Sequence, residues 1–489
     1  MPTRSLFVLF AMLIAVGCSP NANTEQSAAP PTATTTEESP VVEAVPDNDA
    51  SQTLFTNVRV WDGTSDGLTD TTNVLVVDNL IHSIGPDVSG GDDAAVIDGG
   101  GRTLMPGLIS SHVHLTHTLV DGGIPGLNAM TWEDIGAVAT ASAKEYLMMG
   151  FTTVRDMGGM ADGFKRAIDK GLIEGPRVYP AGAYIAQTSG HGDLRMRGQP
   201  NAQLTGIQYS NLERLGIIRI ADGVPNVLTA VRENFANGAV YIKLHAGGGI
   251  SSEKDPLHTI QYTIEELRAA DVATRNWDTY FTVHAYTTPT VNLALDAGAQ
   301  AIDHGQMVDE NTIKRMAKQG TFLTSNLSGM SEGLLAHPLY GNPANPQYIK
   351  TKAFMAASKN FADWVKEHDV KWSFGDDMVL STQVQFRQLV DHEKWYAGEL
   401  FGNHFALKGM TSTPGQLAQL TGQTNPYPGT LGVIEEGAYA DILVVDGNPL
   451  EDLAAIGAYG GWFDAEPRSQ NVENIKLIMK DGKIYKNTL

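Results

Sequence analysis

Cysteine is nearly absent from the 489 residues: the only one is Cys18, so no disulfide can form within the chain. Basic residues are scarce too, with 34 Lys and Arg against 55 Asp and Glu and a formal net charge of −21. That balance argues against nucleic acid or an anionic lipid surface as a main partner. No long apolar run follows Val16, so nothing later in the chain reads as a membrane span, and no tandem repeat is visible. Residues 21–50 have almost no large apolar side chains and are rich in Thr, Ala, Pro, Glu and Ser. Such a stretch cannot bury enough surface to offset its ordering entropy and reads as a flexible tether.

Before the tether, Arg4 precedes an apolar run from Leu6 to Val16, which ends in Gly17, Cys18 and Ser19. This is the pattern of a secretory signal, with an apolar core too short for a comfortable membrane span. Ala15-Val16-Gly17-Cys18 resembles a bacterial lipobox, which implies lipidation of Cys18. Ser19 does not resemble the aspartate that retains lipoproteins in the inner membrane, so the expected place is the outer membrane facing the periplasm. Plain secretion is the alternative.

From Leu54 the texture changes to short β-rich runs broken by Asp-Gly and Gly-Pro pairs: LFTNVRVWDG, NVLVVDNLIHSIG, AAVIDGGGRTLMPG. It returns in ADILVVDGNPL and NIKLIMKDGKIYK. Two β-rich ends around a different middle predict a small β-sandwich built from both termini. In the middle, apolar runs alternate with helix-like segments that start at a capping Thr or Asp and end at Gly. Counting the run that ends at His112, eight strands alternate with helices, the count of an α/β (β/α)₈ TIM barrel. The expected division is a signal over 1–18, a tether over 19–52, sandwich parts at 53–103 and 431–489, and the barrel over 104–430.

In such a barrel function sits where strands end, so polar residues closing apolar runs are the candidates. His112 and His114 are two apart, which puts both imidazoles on one face of a strand and lets them share a cation. Lys243 lies in the fourth run, His284 closes the fifth, His304 the sixth, and Asp376-Asp377 the eighth. Each alone has an ordinary structural explanation. Their placement on separate strands of one predicted barrel points to a shared site.

The motifs PGLISSHVH, YIKLHAGGG, VHAY, IDHG and FGDDM together resemble the amidohydrolase superfamily. The resemblance is to its imidazolonepropionase-like, Xaa-Pro dipeptidase-like and ochratoxinase-like subgroup, and it covers the chain from about Leu54 onward. It implies two divalent ions, Zn²⁺ above all, with His112, His114 and the last-strand aspartate on the inner one and His284 and His304 on the outer. The matching Lys243 is implied to carry a carbamate from CO₂ that bridges them. Family members place a hydroxy residue before the ligand aspartate, and aligning Gly375 puts the ligand and general base at Asp377, with Asp376 as the other candidate. The implied reaction is hydrolysis of an amide or peptide bond by a metal-bridged hydroxide. Its implied substrates are small molecules or dipeptides with a carboxylate: dipeptides, N-acyl amino acids or ochratoxin-like aryl amides. Barrels of the subgroup often assemble into homo-oligomers.

Two residues are expected on the substrate side. His191, in the Gly-flanked QTSGHGD loop, resembles a substrate-contacting histidine of the subgroup. Tyr241 is two before Lys243 and shares its face, so its hydroxyl is expected in the same cavity, either as a donor to an oxyanion or carboxylate or as an ordinary barrel-layer aromatic. His245 is read as supporting the ligands, and His117, His258, His337, His392 and His404 receive no role. Three alternatives remain: a lactonase, another cyclic-amide hydrolase on the same site, and a binding lipoprotein without catalysis. Deamination fits less well, because Lys243 is present and His284 is followed by Ala-Tyr-Thr-Thr.

Overall fold

The computed structural model describes residues 51–462 and 465–489. The expected signal, the lipidation site Cys18 and the tether up to residue 50 lie outside them. No described helix is long and apolar enough to cross a membrane.

The fold is mixed α/β. Strands from both ends of the described chain form one eight-stranded sheet, ordered Lys483–Asn487, Ile475–Lys480, Ile442–Val445, Thr103–Pro106, Gln52–Val60, Thr71–Val77 and Leu80–Gly85. Ala95–Asp98 pairs with Gln52–Val60 as a side branch. Period-2 alternation explains this sheet: Phe55, Val58, Val60, Val74, Val76, Val444, Leu477 and Met479 gather in one buried cluster. The β-rich runs of both ends thus pair with one another, as their shared texture predicts.

The eight apolar runs of the middle are all strands, and all pair in parallel. A three-stranded sheet joins Leu108–Val113, Phe151–Asp156 and Arg177–Pro180. A seven-stranded sheet runs Ile218–Ile220, Tyr184–Ala186, Ile242–His245, Phe281–Thr287, Ala301–Met307, Phe322–Ser325 and Trp372–Phe374. The third run is thus split into two strands, one in each sheet. Backbone hydrogen bonds continue between the sheets, from Val240 N–H to the Pro180 carbonyl (2.9 Å) and from Asp377 N–H to the His112 carbonyl (2.9 Å). Nearly every residue of these strands is buried, as parallel strands covered on both faces require.

Helices lie between the strands, and their starts follow local chemistry. Thr131 and Thr263 each form a capping box, with Asp134 and Glu266 respectively, at the heads of Trp132–Met148 and Ile264–Arg275. Arg177 ties the parallel part to the two-ended sheet: it reaches Asp441 at 3.1 Å and Asp481 at 2.6 Å, and its guanidinium lies 4.0 Å from the Tyr439 ring centroid.

Candidate metal centre

The strand Leu108–Val113 ends with His112 inside it and His114 one residue beyond. Their Nε2 atoms lie 3.2 and 3.1 Å from one oxygen, Asp377 Oδ1. Asp377 follows the strand Trp372–Phe374, and its own N–H is fixed on the His112 carbonyl, so the first and last strands hold the three donors together. The close approach depends on Gly375, where a Cβ would stand 2.5 Å from the Cβ of His112. Asp377 and His304 both have left-handed backbones, with φ of +53° and +78°. Non-glycine residues keep that conformation only where surrounding structure imposes it, and such positions concentrate at functional sites.

The choice between the two adjacent aspartates is made by geometry. Asp376 is fully buried and points away, accepting from Ser110 Oγ (2.6 Å) and the Tyr146 hydroxyl (2.7 Å). Burial pushes its carboxyl up to about 6. For Asp377, burial works the same way but is outweighed by the charge of His112 and hydrogen bonds from His112 and His114, which hold it well below the usual carboxylate range. Asp377 is therefore the anion facing the imidazoles.

Burial pushes His114 down to about 4 and His304 to about 3, and takes His284 well below its ordinary value. Neutral imidazoles at neutral pH are the form that binds a divalent ion. For His112 burial acts in the same direction but is overcome by Asp377, and the net shift is upward. The donor atoms of His112, His114 and Asp377 all lie within 4.8 Å of one another. Two imidazole nitrogens and a carboxylate at that spacing fit one divalent cation.

The outer histidines are adjacent: the His284 and His304 ring centroids are 4.3 Å apart, and His304 is 5.1 Å from His112. His304 Nδ1 meets Asn326 Oδ1 at 3.0 Å. Lys243, 1% exposed, donates from Nζ to Asp303 Oδ2 at 2.9 Å, and Thr282 donates to the same oxygen at 2.6 Å. The other Asp303 oxygen is buried without a hydrogen bond, 3.4 Å from His112 Nδ1 and 3.6 Å from Arg155 Nη1. One further acidic cluster among the described residues, Glu310, Glu367 and His368, is not a comparable site, because Glu310 already accepts from Lys314 (2.7 Å) and His368 (3.0 Å).

His191 stands beside the centre, its ring stacked on His284 at 4.1 Å. Its Nδ1 lies 3.1 Å from both Asp255 Oδ2 and Ser252 Oγ, and its N–H donates to Gln261 at 2.8 Å. Tyr241 does not reach the cavity. Its hydroxyl donates to the Asp156 carbonyl at 2.7 Å, its ring stacks on Tyr280, and it is fully buried. It shares a face with Lys243 but lies one layer deeper, because two residues of extended chain span about 7 Å. Tyr241 is a core aromatic.

Three residues without an assigned role in the sequence belong to the centre. Asp303 precedes His304, and strict alternation would send the two to opposite faces, but the left-handed backbone at His304 lets both serve the interior. The other two are His117 and Tyr184. The Tyr184 hydroxyl lies 2.8 Å from His114 Nδ1 and also bonds His117 Nε2, and His117 Nδ1 meets Thr116 Oγ1 at 2.9 Å. For His114 Nε2 to offer a lone pair, Nδ1 carries the proton and donates to Tyr184, which donates in turn to His117. Nothing in local spacing signals this chain, since Tyr184 is remote in sequence. Tyr184→Phe is expected to weaken divalent-metal affinity by about 10–100-fold, read by competition against a chromophoric chelator. Unchanged affinity would remove Tyr184 from the site.

Residues 103–391 match the model described as the amidohydrolase family. Ochratoxinase of Aspergillus niger is 26% identical over 397 residues, covering 78% of this chain and 75% of that protein. Among solved structures, an amidohydrolase has 30% identity and a TM-score of 0.78, covering 90% of this chain and all (100%) of that one. A prolidase complexed with N-methylphosphonate-L-proline has 29% identity and a TM-score of 0.76, with 90% and 100% coverage.

Proposed function

Because the chain belongs to the amidohydrolase family, we propose that this hydrolase of C–N bonds cuts the amide of a dipeptide, an N-acyl amino acid or an ochratoxin-like aryl amide bearing a carboxylate. The observation that carries the reading is the convergence of His112, His114 and Asp377 on one point. His112, His114 and Asp377 would hold one divalent ion, Zn²⁺ by donor type, and His284 and His304 the other. A carbamate on Lys243 would supply further anionic oxygen donors to these ions. Burial lowers the Lys243 ammonium pKa against the opposing pull of Asp303, toward the neutral amine that attacks CO₂ and releases a proton. When bound, the ions supply Lewis acidity toward a carbonyl oxygen and acidify water.

The chain's own residues do the rest. Asp377, held as a carboxylate, accepts the proton of the attacking water and passes it to the leaving nitrogen. His191, fixed through Nδ1 by Asp255, presents its other nitrogen to the substrate. The similarity to an ochratoxinase and to a prolidase complexed with N-methylphosphonate-L-proline supports the substrate class. The lactonase and binding-lipoprotein readings are not favoured.

The two parallel sheets are read as one (β/α)₈ barrel, supported by the bonds at Val240 and Asp377 that continue from one to the other, and the two-ended sheet as its companion sandwich. Export, anchoring through Cys18 and homo-oligomer formation complete the proposal. The test is purified protein with Zn²⁺ and bicarbonate against Xaa-Pro dipeptides, N-acyl amino acids and an aryl amide of phenylalanine. Release of a free amine that stops on chelation is expected. Absence of both retained metal and amide cleavage would overturn the reading.

A further inference from the structure

The loop after the Lys243 strand passes the metal centre with little apolar material to hold it. Residues 249–255 read GISSEKD, of which Gly249 and Asp255 are buried and Ser251, Glu253 and Lys254 exposed. A polar, exposed segment of this kind opens easily unless something pins it. Lys350, on the helix Pro346–Ala357, supplies the pin. Its Nζ donates to three carbonyls of this one loop: Gly249 (2.8 Å), Ser252 (2.7 Å) and Asp255 (2.7 Å). All three ammonium protons are used, and Gln347, one turn earlier, adds a bond to the Ser251 carbonyl at 3.2 Å.

The pin acts beyond the loop. Asp255, 1% exposed, turns its carboxylate inward to accept from Gly249 N–H (2.7 Å) and to meet His191 Nδ1 (3.1 Å). A Cβ at Gly249 would stand 2.0 Å from the His191 ring, so loop and imidazole are in mutual contact. One turn along the helix, Phe354 packs edge-on to Tyr286 (5.4 Å), which stacks on His304 (4.7 Å). One helix face thus reaches the centre from two sides.

We propose that Lys350 is a positioning residue whose ammonium, caged by the carbonyls of Gly249, Ser252 and Asp255, sets the loop and through Asp255 the orientation of His191. The same cage is a latent site for a small monovalent cation, because convergent carbonyls replace hydration around ammonium and potassium alike. The link to substrate rests on His191 facing substrate, as proposed above. The pin itself does not, and the test uses no turnover.

The experiment compares full-length wild type, Lys350→Ala and Lys350→Met by hydrogen exchange over residues 249–262 and by ¹⁵N imidazole spectra, with the His191 signal identified by its loss in His191→Gln. Both variants should lose protection by at least about 10-fold, the scale of one hydrogen bond to a charged group. The His191 signal should leave its Nδ1–H position. Ammonium or potassium chloride should restore both readouts in Lys350→Ala, while tetramethylammonium chloride at equal ionic strength should not. Lys350→Met should not respond, because its side chain blocks the cage. Wild-type exchange and spectra in either variant would overturn the proposal, as would equal restoration by tetramethylammonium. Should Lys350→Ala fail to fold, Lys350→Met keeps the half-buried stem, and wild-type exchange and spectra in that variant alone would still overturn the pin.

Discussion

Asparagine at position 377 lowers amide hydrolysis by about 10²–10⁴-fold, the range that a positioned proton acceptor contributes. The substitution keeps the shape of the side chain and the Asp377 N–H bond to His112 that joins the first and last strands. It removes the charge next to two imidazole nitrogens at 3.1 and 3.2 Å and the basicity needed to take up a proton. Turnover measured at saturating Zn²⁺ separates lost chemistry from weakened metal binding. Asp376→Asn is the control: Asp376 is held by Ser110 and Tyr146, so its loss should act on stability more than on turnover. Activity within tenfold of wild type in Asp377→Asn would end its assignment as proton acceptor.

In protein kept free of metal and CO₂, where Lys243 is an uncarboxylated lysine paired with Asp303, alanine at position 303 should cost about 3–5 kcal/mol of stability, the penalty for removing one partner of a buried ion pair. Asp303 is fully buried and accepts from Lys243 and Thr282, with Arg155 beside it. Arg155 has few other partners: Nη1 reaches the Ser111 carbonyl and Thr324, while Nε and Nη2 are buried without a hydrogen bond. Truncation leaves two cations in the interior with no anion between them. Urea unfolding monitored by circular dichroism reads the effect. A midpoint equal to wild type would mean that water or a rearranged carboxylate takes over the role of Asp303.

Much of this centre is legible in the chain because its donors sit at strand ends, where periodicity is simple. His112 and His114 are read from a spacing of two, Lys243, His284 and His304 from their places in successive apolar runs, and all lie around the site. The split of the third run into Arg177–Pro180 and Tyr184–Ala186 is not legible in that way. Of the two roles open to Tyr241 the packing selects the core aromatic, because period two gives the face of a side chain and not its depth.

The sequence by itself determined the parallel α/β plan, the sheet drawn from both ends and the residue types that meet at the centre, because these follow from local periodicity and from motifs a few residues long. Only the tertiary structure decided which of two adjacent aspartates faces the imidazoles, that Asp303 holds Lys243, and that Tyr184 and His117 continue from His114. Those choices depend on left-handed backbone at Asp377 and His304 and on contacts between residues tens to hundreds of positions apart, such as the 263 between His114 and Asp377. Spacing along the chain carries no record of such contacts, because packing alone creates them.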